Sequence, residues 1–198
     1  MFIQMVQGKC DRPAQLREVV DTWCDTMSGR EGWLGGTYGF TDDGTFVGVV
    51  RYDSAAACDR LSAAEESAIC WAAAQQLCGG RLEVHQSEDV TMMMEGGSDA
   101  AGFVQVMHGH IRNPATVRHL VGEEMTTRLH RQRPEILGAT LAVEPDGSFT
   151  QTIAFTDEAS ARRGEQQEMP EEVRRELESA FADVEYIDLH RPWFATHR

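Results

Sequence analysis

The sequence predicts an α+β fold built from two copies of one βαββαβ module, and three observations support that prediction. Residues 2–20 align without a gap on residues 103–121, and residues 34–60 align on residues 137–163. Each copy carries apolar strands and amphipathic helices in the same order. Each copy also carries an Asp-Gly turn at the same place. This agreement indicates a duplicated module of about a hundred residues per copy.

The two copies are identical at positions that set strands and helix starts. Chance would give roughly one identity in fifteen aligned positions, and the observed agreement is far higher. The register moves from 101 to 103 between the two blocks, so two extra residues precede the second strand of the second copy. The identical pairs of the first block are Phe2/Phe103, Gln4/Gln105, Gly8/Gly109, Pro13/Pro114, Ala14/Ala115, Arg17/Arg118 and Val20/Val121.

Each element of the module has a local reason. The strands alternate in character with a period of two. The first helices begin at a proline, whose fixed φ and missing N–H suit the first helical turn. The Asp-Gly turns favour a tight hairpin between the second and third strands. The predicted bounds are strands at 2–8, 34–41, 45–52 and 81–87 with a helix at 13–27, and strands at 103–109, 137–144, 148–155 and 184–190 with a helix at 114–131.

The second helical region of each copy is predicted as two pieces with a bend. Ser54 and Asp157 are good N-caps for the first piece. In the first copy a second piece restarts at Ser62, where Glu65 three residues later completes a capping box. In the second copy it restarts at Pro170. The predicted domains are therefore a first module at 1–90, a linker at 91–101 and a second module at 102–198.

Composition excludes several classes of function. The net charge of −14 disfavours binding to nucleic acids and to anionic membranes. No run of eighteen apolar residues occurs, and the first residues do not resemble a signal peptide, so we expect a cytoplasmic protein. The five cysteines all lie in the first copy and form no CxxC pair, which favours reduced, buried thiols over a metal site. No nucleotide-binding or serine-hydrolase motif is present.

The element order is the ferredoxin-like plan, in which both helices cover one face of an antiparallel sheet. The other face is too apolar to remain in water. We therefore expect the two modules to pack sheet to sheet as an intramolecular α/β barrel. Alternation along the strands is expected to place these residues on the face away from the helices: Phe2, Gln4, Val6, Arg51, Glu83 and His85 in the first copy, and Phe103, Gln105 and Met107 in the second.

In element order, turn placement and module length, the chain resembles the dimeric α/β-barrel superfamily, which includes the antibiotic-biosynthesis-type monooxygenases. The resemblance covers nearly the whole chain and rests on no unique motif. It implies a ligand site between sheet and helices or in the barrel interior. It also implies cofactor-independent oxygenation of an aromatic or polycyclic substrate, here in a chain that contains both modules.

The residues expected to face inward supply the candidate site, with no cofactor and no metal. Gln4 and Gln105 are predicted to hydrogen bond a carbonyl or phenol of a substrate, or else to satisfy each other or a buried water. His85 beside Glu83 is predicted to act as a base near neutral pH, or else to lie at an exposed strand end. The predicted substrate-binding residues are Phe2, Val6, Arg51, Glu83, Phe103 and Met107. The predicted partner is a small apolar or aromatic molecule, and monomer and homodimer stay open.

Three alternatives remain at this point. The first is a non-catalytic ligand-binding or stress-associated scaffold with a filled interior. The second is a metal site in the second copy, whose candidate ligands are His108, His110, His119 and Glu123. The third is heme degradation, since some members of the superfamily use a Trp and a His on the second helix. Trp71 lies in that region here, but residues 62–78 contain no His.

Overall fold

The computed structural model describes residues 1–94, 96–168 and 170–196. The chain divides into two compact units. One comprises Met1–Glu88 together with the segment that begins at Arg191, and the other comprises Asp89–His190. Each unit contains a five-stranded antiparallel sheet, and both follow the βαββαβ order. The predicted α+β class and the tandem duplication of a ferredoxin-like module are confirmed.

The first unit has its strands in the order β10-β2-β3-β1-β4. The central strand β3 pairs with β2 and β1, and β4 pairs with the other side of β1. Its elements are β1 (Phe2–Lys9), α1 (Pro13–Met27), β2 (Trp33–Phe40), β3 (Thr45–Tyr52), α2 (Ala55–Ser62), α3 (Glu65–Leu77), β4 (Glu83–Ser87) and β10 (Trp193–Thr196).

The second unit repeats this arrangement with the strand order β5-β7-β8-β6-β9. Its elements are β5 (Asp89–Met93), β6 (Phe103–Ile111), α4 (Pro114–Leu120), α5 (Glu123–Gln132), β7 (Ile136–Val143), β8 (Ser148–Phe155), α6 (Glu158–Glu165), α7 (Glu171–Ala180) and β9 (Phe181–Leu189). None of the helices in the described part of the chain is long and apolar enough to cross a membrane.

Each sheet is completed by a short fifth strand that sequence analysis did not predict. Strand β5 pairs with β7, and strand β10 pairs with β2. In both units the added strand lies at the edge next to the second strand of the module. Strand β5 extends into the stretch at 91–101 that the sequence indicated as a linker.

The helix starts agree with the sequence in part. The hydroxyl of Ser54 accepts a hydrogen bond from the backbone N–H of Ala57, and Asp157 caps α6 in the same way, so both predicted N-caps are confirmed. The predicted capping box is wrong, because Ser62 is the last residue of α2 and α3 begins after Ala64. The helix predicted at 114–131 is interrupted between α4 and α5.

The prediction for the faces of β1 is wrong. Gln4 pairs directly with Val50, and directly opposed residues of an antiparallel pair point to the same face. Val50 belongs to the apolar cluster formed with the helices, which also contains Leu16 of α1 and Leu77 of α3. The set Phe2, Gln4 and Val6 therefore faces the helices. Sequence alternation could not decide this, because both sets of β1 residues are largely apolar.

Candidate ligand-binding site

A cavity of about 460 Å³ lies in the first unit between the sheet and helices α1 and α3. This volume is within the range of about 300–1,000 Å³ typical of small-molecule sites. Its walls are mainly apolar and rich in rings. The aromatic lining residues are Trp23, Tyr38, Phe46, Tyr52 and Trp71, and the polar ones outside that group are Gln4, Ser62, Ser67 and Cys70.

The sheet side of the cavity follows from strand alternation. Strand β3 contributes every second residue from Phe46 to Tyr52, and β1 contributes Gln4 and Val6. One of the β3 positions is Gly48. A Cβ there would lie 3.1 Å from Cδ1 of Tyr38, so the missing side chain leaves space beside that ring.

The exposed lining residues mark an opening between helix α3 and the edge strand β4. Trp71 of α3 is 37% exposed and Val84 of β4 is 40% exposed. Ala68, one turn before Trp71, also lines the cavity and is exposed. A molecule could therefore enter from solvent between these three side chains.

Among the described residues, the lining carries hydrogen-bonding groups but no charged side chain. Burial raises the pKa of the Cys70 thiol to about 11, and burial also raises the pKa of Tyr52 above its ordinary value. Both groups are therefore neutral near pH 7. Gln4 presents an amide that can donate and accept. A charged ligand would lose its hydration here without gaining an opposite charge, so the site favours uncharged molecules.

The structure separates the predicted site residues of the first unit into two groups. Gln4 and Val6 line the cavity, and Phe2 packs against the apolar cluster on the same face. Arg51, Glu83 and His85 lie on the opposite face of the sheet. Their strand partners on that face are Ile3, Gln7 and Met5 respectively. The prediction that all six residues share one face is therefore wrong.

The three residues on the opposite face have polar or packed surroundings of their own. A guanidinium N–H of Arg51 donates to the hydroxyl of Thr37 at 3.2 Å. The carboxylate of Glu83 accepts a hydrogen bond from the Gln7 amide at 2.7 Å. His85 is half-buried on the edge strand β4. None of the three lies beside Gln4 on the cavity face.

The predicted residues of the second unit also face the helices, since Phe103 packs in a cluster with a residue of α6, so the prediction for this face of β6 is wrong as well. The Gln105 amide donates to Asp188 at 3.0 Å and to Glu165 at 3.4 Å. Arg162 forms ion pairs with both carboxylates, and its guanidinium lies 5.1 Å from the centre of the Phe103 ring. Met107 packs against an apolar cluster whose buried members are Met93, Val117, Ala139, Leu141, Phe149 and Ala180. The Gln105 amide is therefore engaged by protein groups.

Sequence reasoning missed several residues that build the cavity. Tyr38 and Gly48 align with Leu141 and Gln151 of the second copy. These differences between two otherwise similar copies could have indicated the cavity. The first copy has a ring where the second has the alkyl chain of Leu141, and it has a glycine where the second has the larger Gln151. Trp23, which aligns with a glutamate in the second copy, is a third such difference.

The second-copy histidines do not converge. The ring of His108 lies 3.5 Å from the Thr150 hydroxyl, and that of His110 lies 3.3 Å from the Ser148 hydroxyl. Within the residues that the structure describes, no group of three or more His, Cys, Asp or Glu side chains could hold a metal ion.

Comparison with solved structures gives the fold class. A proposed monooxygenase from Lactobacillus acidophilus superposes with a TM-score of 0.76 at 13% identity, covering 99% of this chain and 96% of its own. An anthrone oxidase-like protein gives 0.67 at 10% identity, covering 99% and 93%. A ferredoxin-fold protein related to antibiotic biosynthesis monooxygenases, from Listeria monocytogenes, gives 0.53 at 9% identity, covering 96% and 94%.

The chain therefore has the tandem ferredoxin-like fold found in these proteins. Each of the first two superpositions spans nearly the full length of both chains, so it includes both modules of this chain. No protein-family model matches the sequence, and no curated protein matches it. At such low identity the likeness defines the fold, and the function has to be argued from the site.

Proposed function

We propose that the first unit binds a small, uncharged, mainly aromatic molecule in the cavity between its sheet and helices α1 and α3. The observation that carries this proposal is a cavity of about 460 Å³ whose described lining residues include five aromatic side chains and no charged one. Aromatic rings of a ligand can stack or meet these walls edge to face. The Gln4 amide supplies one polar contact that would fix the orientation of the ligand.

The finer proposal is that the chain oxygenates this molecule without a cofactor. The name of one structural neighbour, anthrone oxidase-like protein, suggests a substrate to try. The net reaction would be anthrone plus O₂ giving anthraquinone plus water, in which the ring carbon loses two hydrogens and gains a carbonyl oxygen. The amide oxygen of Gln4 would favour the electron-rich enol form by accepting a hydrogen bond from its hydroxyl, a bond that the keto form cannot make. The apolar walls would exclude water from it.

The second candidate function is ligand binding without turnover. It is favoured by the neutrality of the lining, since Cys70 and Tyr52 keep their protons near pH 7 and offer no ready base. His85, the base predicted from the sequence, lies on the other face of the sheet. Binding and turnover therefore need separate measurements.

Filling part of the cavity tests the binding site. We expect Ala68→Phe to weaken binding of the neutral fluorescent probe N-phenyl-1-naphthylamine by about tenfold or more, because the ring would enter the space that the probe occupies. Ala72→Phe is the matched control. Ala72 is exposed on the same helix and does not line the cavity. Fluorescence titration measures both affinities, and equal weakening by the two changes would contradict the proposed site.

The oxygenation proposal is tested with anthrone and dissolved oxygen. We expect one O₂ consumed per anthraquinone formed, at a rate above the reaction without protein and reduced in Ala68→Phe. An oxygen electrode and the anthraquinone absorbance measure the two amounts. Binding of anthrone with no acceleration would favour the non-catalytic function.

A further inference from the structure

Helices α1 and α3 separate two spaces in the first unit. One is the ligand-binding cavity on the sheet side. The other is a surface groove of about 670 Å³ between the same two helices. Trp23 of α1 and Cys70 of α3 border both spaces. These two residues therefore form a barrier between the groove and the cavity at this point.

The Trp23 indole is held in this barrier by one hydrogen bond. Its Nε1–H donates to the hydroxyl of Ser67 at 2.9 Å, in a part-buried position. Its ring meets Trp33 edge to face, with centroids 6.3 Å apart. Trp33 is fully buried, whereas Trp23 is only half-buried. Rotation of Trp23 toward solvent would break the bond to Ser67 but would not require a helix to move.

We propose that Trp23 is a gate, latched by Ser67, that opens a second route between solvent and the cavity through the groove. This inference rests on the proposed function, because a gate has a role only if the cavity takes up a ligand. Side-chain rotation at a half-exposed site is fast compared with helix movement. A ligand could thus enter or leave past Trp23 while the opening beside Trp71 stays unchanged.

Removing the latch gives the central test. In Ser67→Ala the indole remains, but its hydrogen bond is lost, so the open position becomes more populated. We expect the association and dissociation rates of N-phenyl-1-naphthylamine each to rise by about two- to twelvefold, the range that corresponds to one net hydrogen bond. Both rates should rise together, because a gate lowers the barrier in both directions, whereas loss of a direct contact between Ser67 and the probe would change the dissociation rate alone. Stopped-flow fluorescence measures both rates.

Two further variants identify the route. Ser28→Ala removes a hydroxyl at the end of α1 that lines neither space and donates to the backbone oxygen of Asp25, and we expect it to leave both rates near those of the unmodified chain. Ala73 lines the groove and does not line the cavity. We expect Ala73→Trp, combined with Ser67→Ala, to return both rates toward their original values because the ring obstructs the groove.

The outcomes separate the gate from the proposed function. Unchanged rates in Ser67→Ala, or a changed affinity with unchanged association, would overturn the gate while leaving the cavity as a binding site. Persistence of the faster rates when Ala73→Trp is added would also overturn it. If the unmodified chain binds no probe in titration, both the proposed function and the gate are contradicted.

Discussion

On strand β2, the ring of Tyr38 occupies the space that a side chain on Gly36 would need. A Cβ atom on Gly36 would overlap the ring and hydroxyl of Tyr38, which lie back along the strand. The Tyr38 side chain is 2% exposed and forms part of the cavity wall. In the second unit the aligned residues are Ala139 and Leu141. The glycine is therefore needed because of the ring two residues away.

This dependence predicts a non-additive pair of substitutions. We expect Gly36→Ala to lower the free energy of unfolding by about 1–3 kcal/mol, the usual cost of overpacking. In a Tyr38→Leu background the same change should cost at least about 1 kcal/mol less, since the overlapping atoms are gone. Urea denaturation of the four proteins gives the coupling. Equal costs in both backgrounds would show that the ring does not set the requirement.

The buried hydroxyl of Tyr38 adds a second feature at this position. It lies beside the Cys24 thiol, and it makes no hydrogen bond of normal geometry to the described residues. Burial raises the pKa of Tyr38 well above its ordinary value and raises that of Cys24 to about 12. Both groups therefore stay protonated across the neutral range, and this side of the cavity wall carries no charge.

At the scale of elements, helix α2 illustrates a local signal that the structure confirms. Its first turn is capped by the hydroxyl of Ser54, 3.2 Å from the backbone nitrogen of Ala57. The helix ends at Ser62, which lines the cavity. The position of one cavity residue thus depends on where this short helix begins.

The cap predicts a stability effect. We expect Ser54→Ala to lower the free energy of unfolding by about 1 kcal/mol, because one N–H at the helix start loses its partner. Ser54→Thr keeps the hydroxyl that accepts from Ala57 and donates to Asp53, and it should retain most of the stability. Thermal and chemical denaturation of both variants measure the difference. A loss of equal size in Ser54→Thr would indicate that the cap is not the cause.

Elements whose signals are local could be predicted from the sequence. Such signals act within a few residues, and each occurs in both copies: a proline at the start of the first helix, an Asp-Gly turn, and an N-cap at Ser54 or Asp157. The face of β1 could not be predicted from alternation alone, since Phe2 and Ile3 are equally apolar. It follows from the pairing of Gln4 with Val50, a contact between residues far apart in sequence. Strands β5 and β10 were missed because each is short and pairs with a distant strand.

At the scale of the whole molecule, the first unit is not continuous in sequence. Strand β10 follows the last strand of the second unit along the chain, yet it pairs with β2 of the first. Its residue Trp193 lies with its ring 5.6 Å from Phe40, 5.7 Å from Tyr38 and 6.3 Å from Phe46. The guanidinium of Arg17 lies 4.7 Å from the same ring.

The contacts of Trp193 predict a localised loss of stability. We expect Trp193→Ala to destabilise the chain by roughly 2–3 kcal/mol, somewhat less than truncation of a fully buried aromatic residue. Hydrogen exchange should become faster in β2, which pairs with β10, and less so in the second unit. Thr196→Ala, an exposed change in the same strand, is the control. Faster exchange confined to the second unit would contradict the prediction.

The position of β10 also has a consequence for synthesis on the ribosome. Residues 1–88 are complete about 108 residues before Thr196 is added. At 5–20 residues per second, this delay is roughly 5–20 s. During that time the edge of β2 is unpaired, and the rings that Trp193 will cover lack one neighbour. The module that is synthesised first is therefore completed last, and its β2 edge stays open until residue 196 has been added.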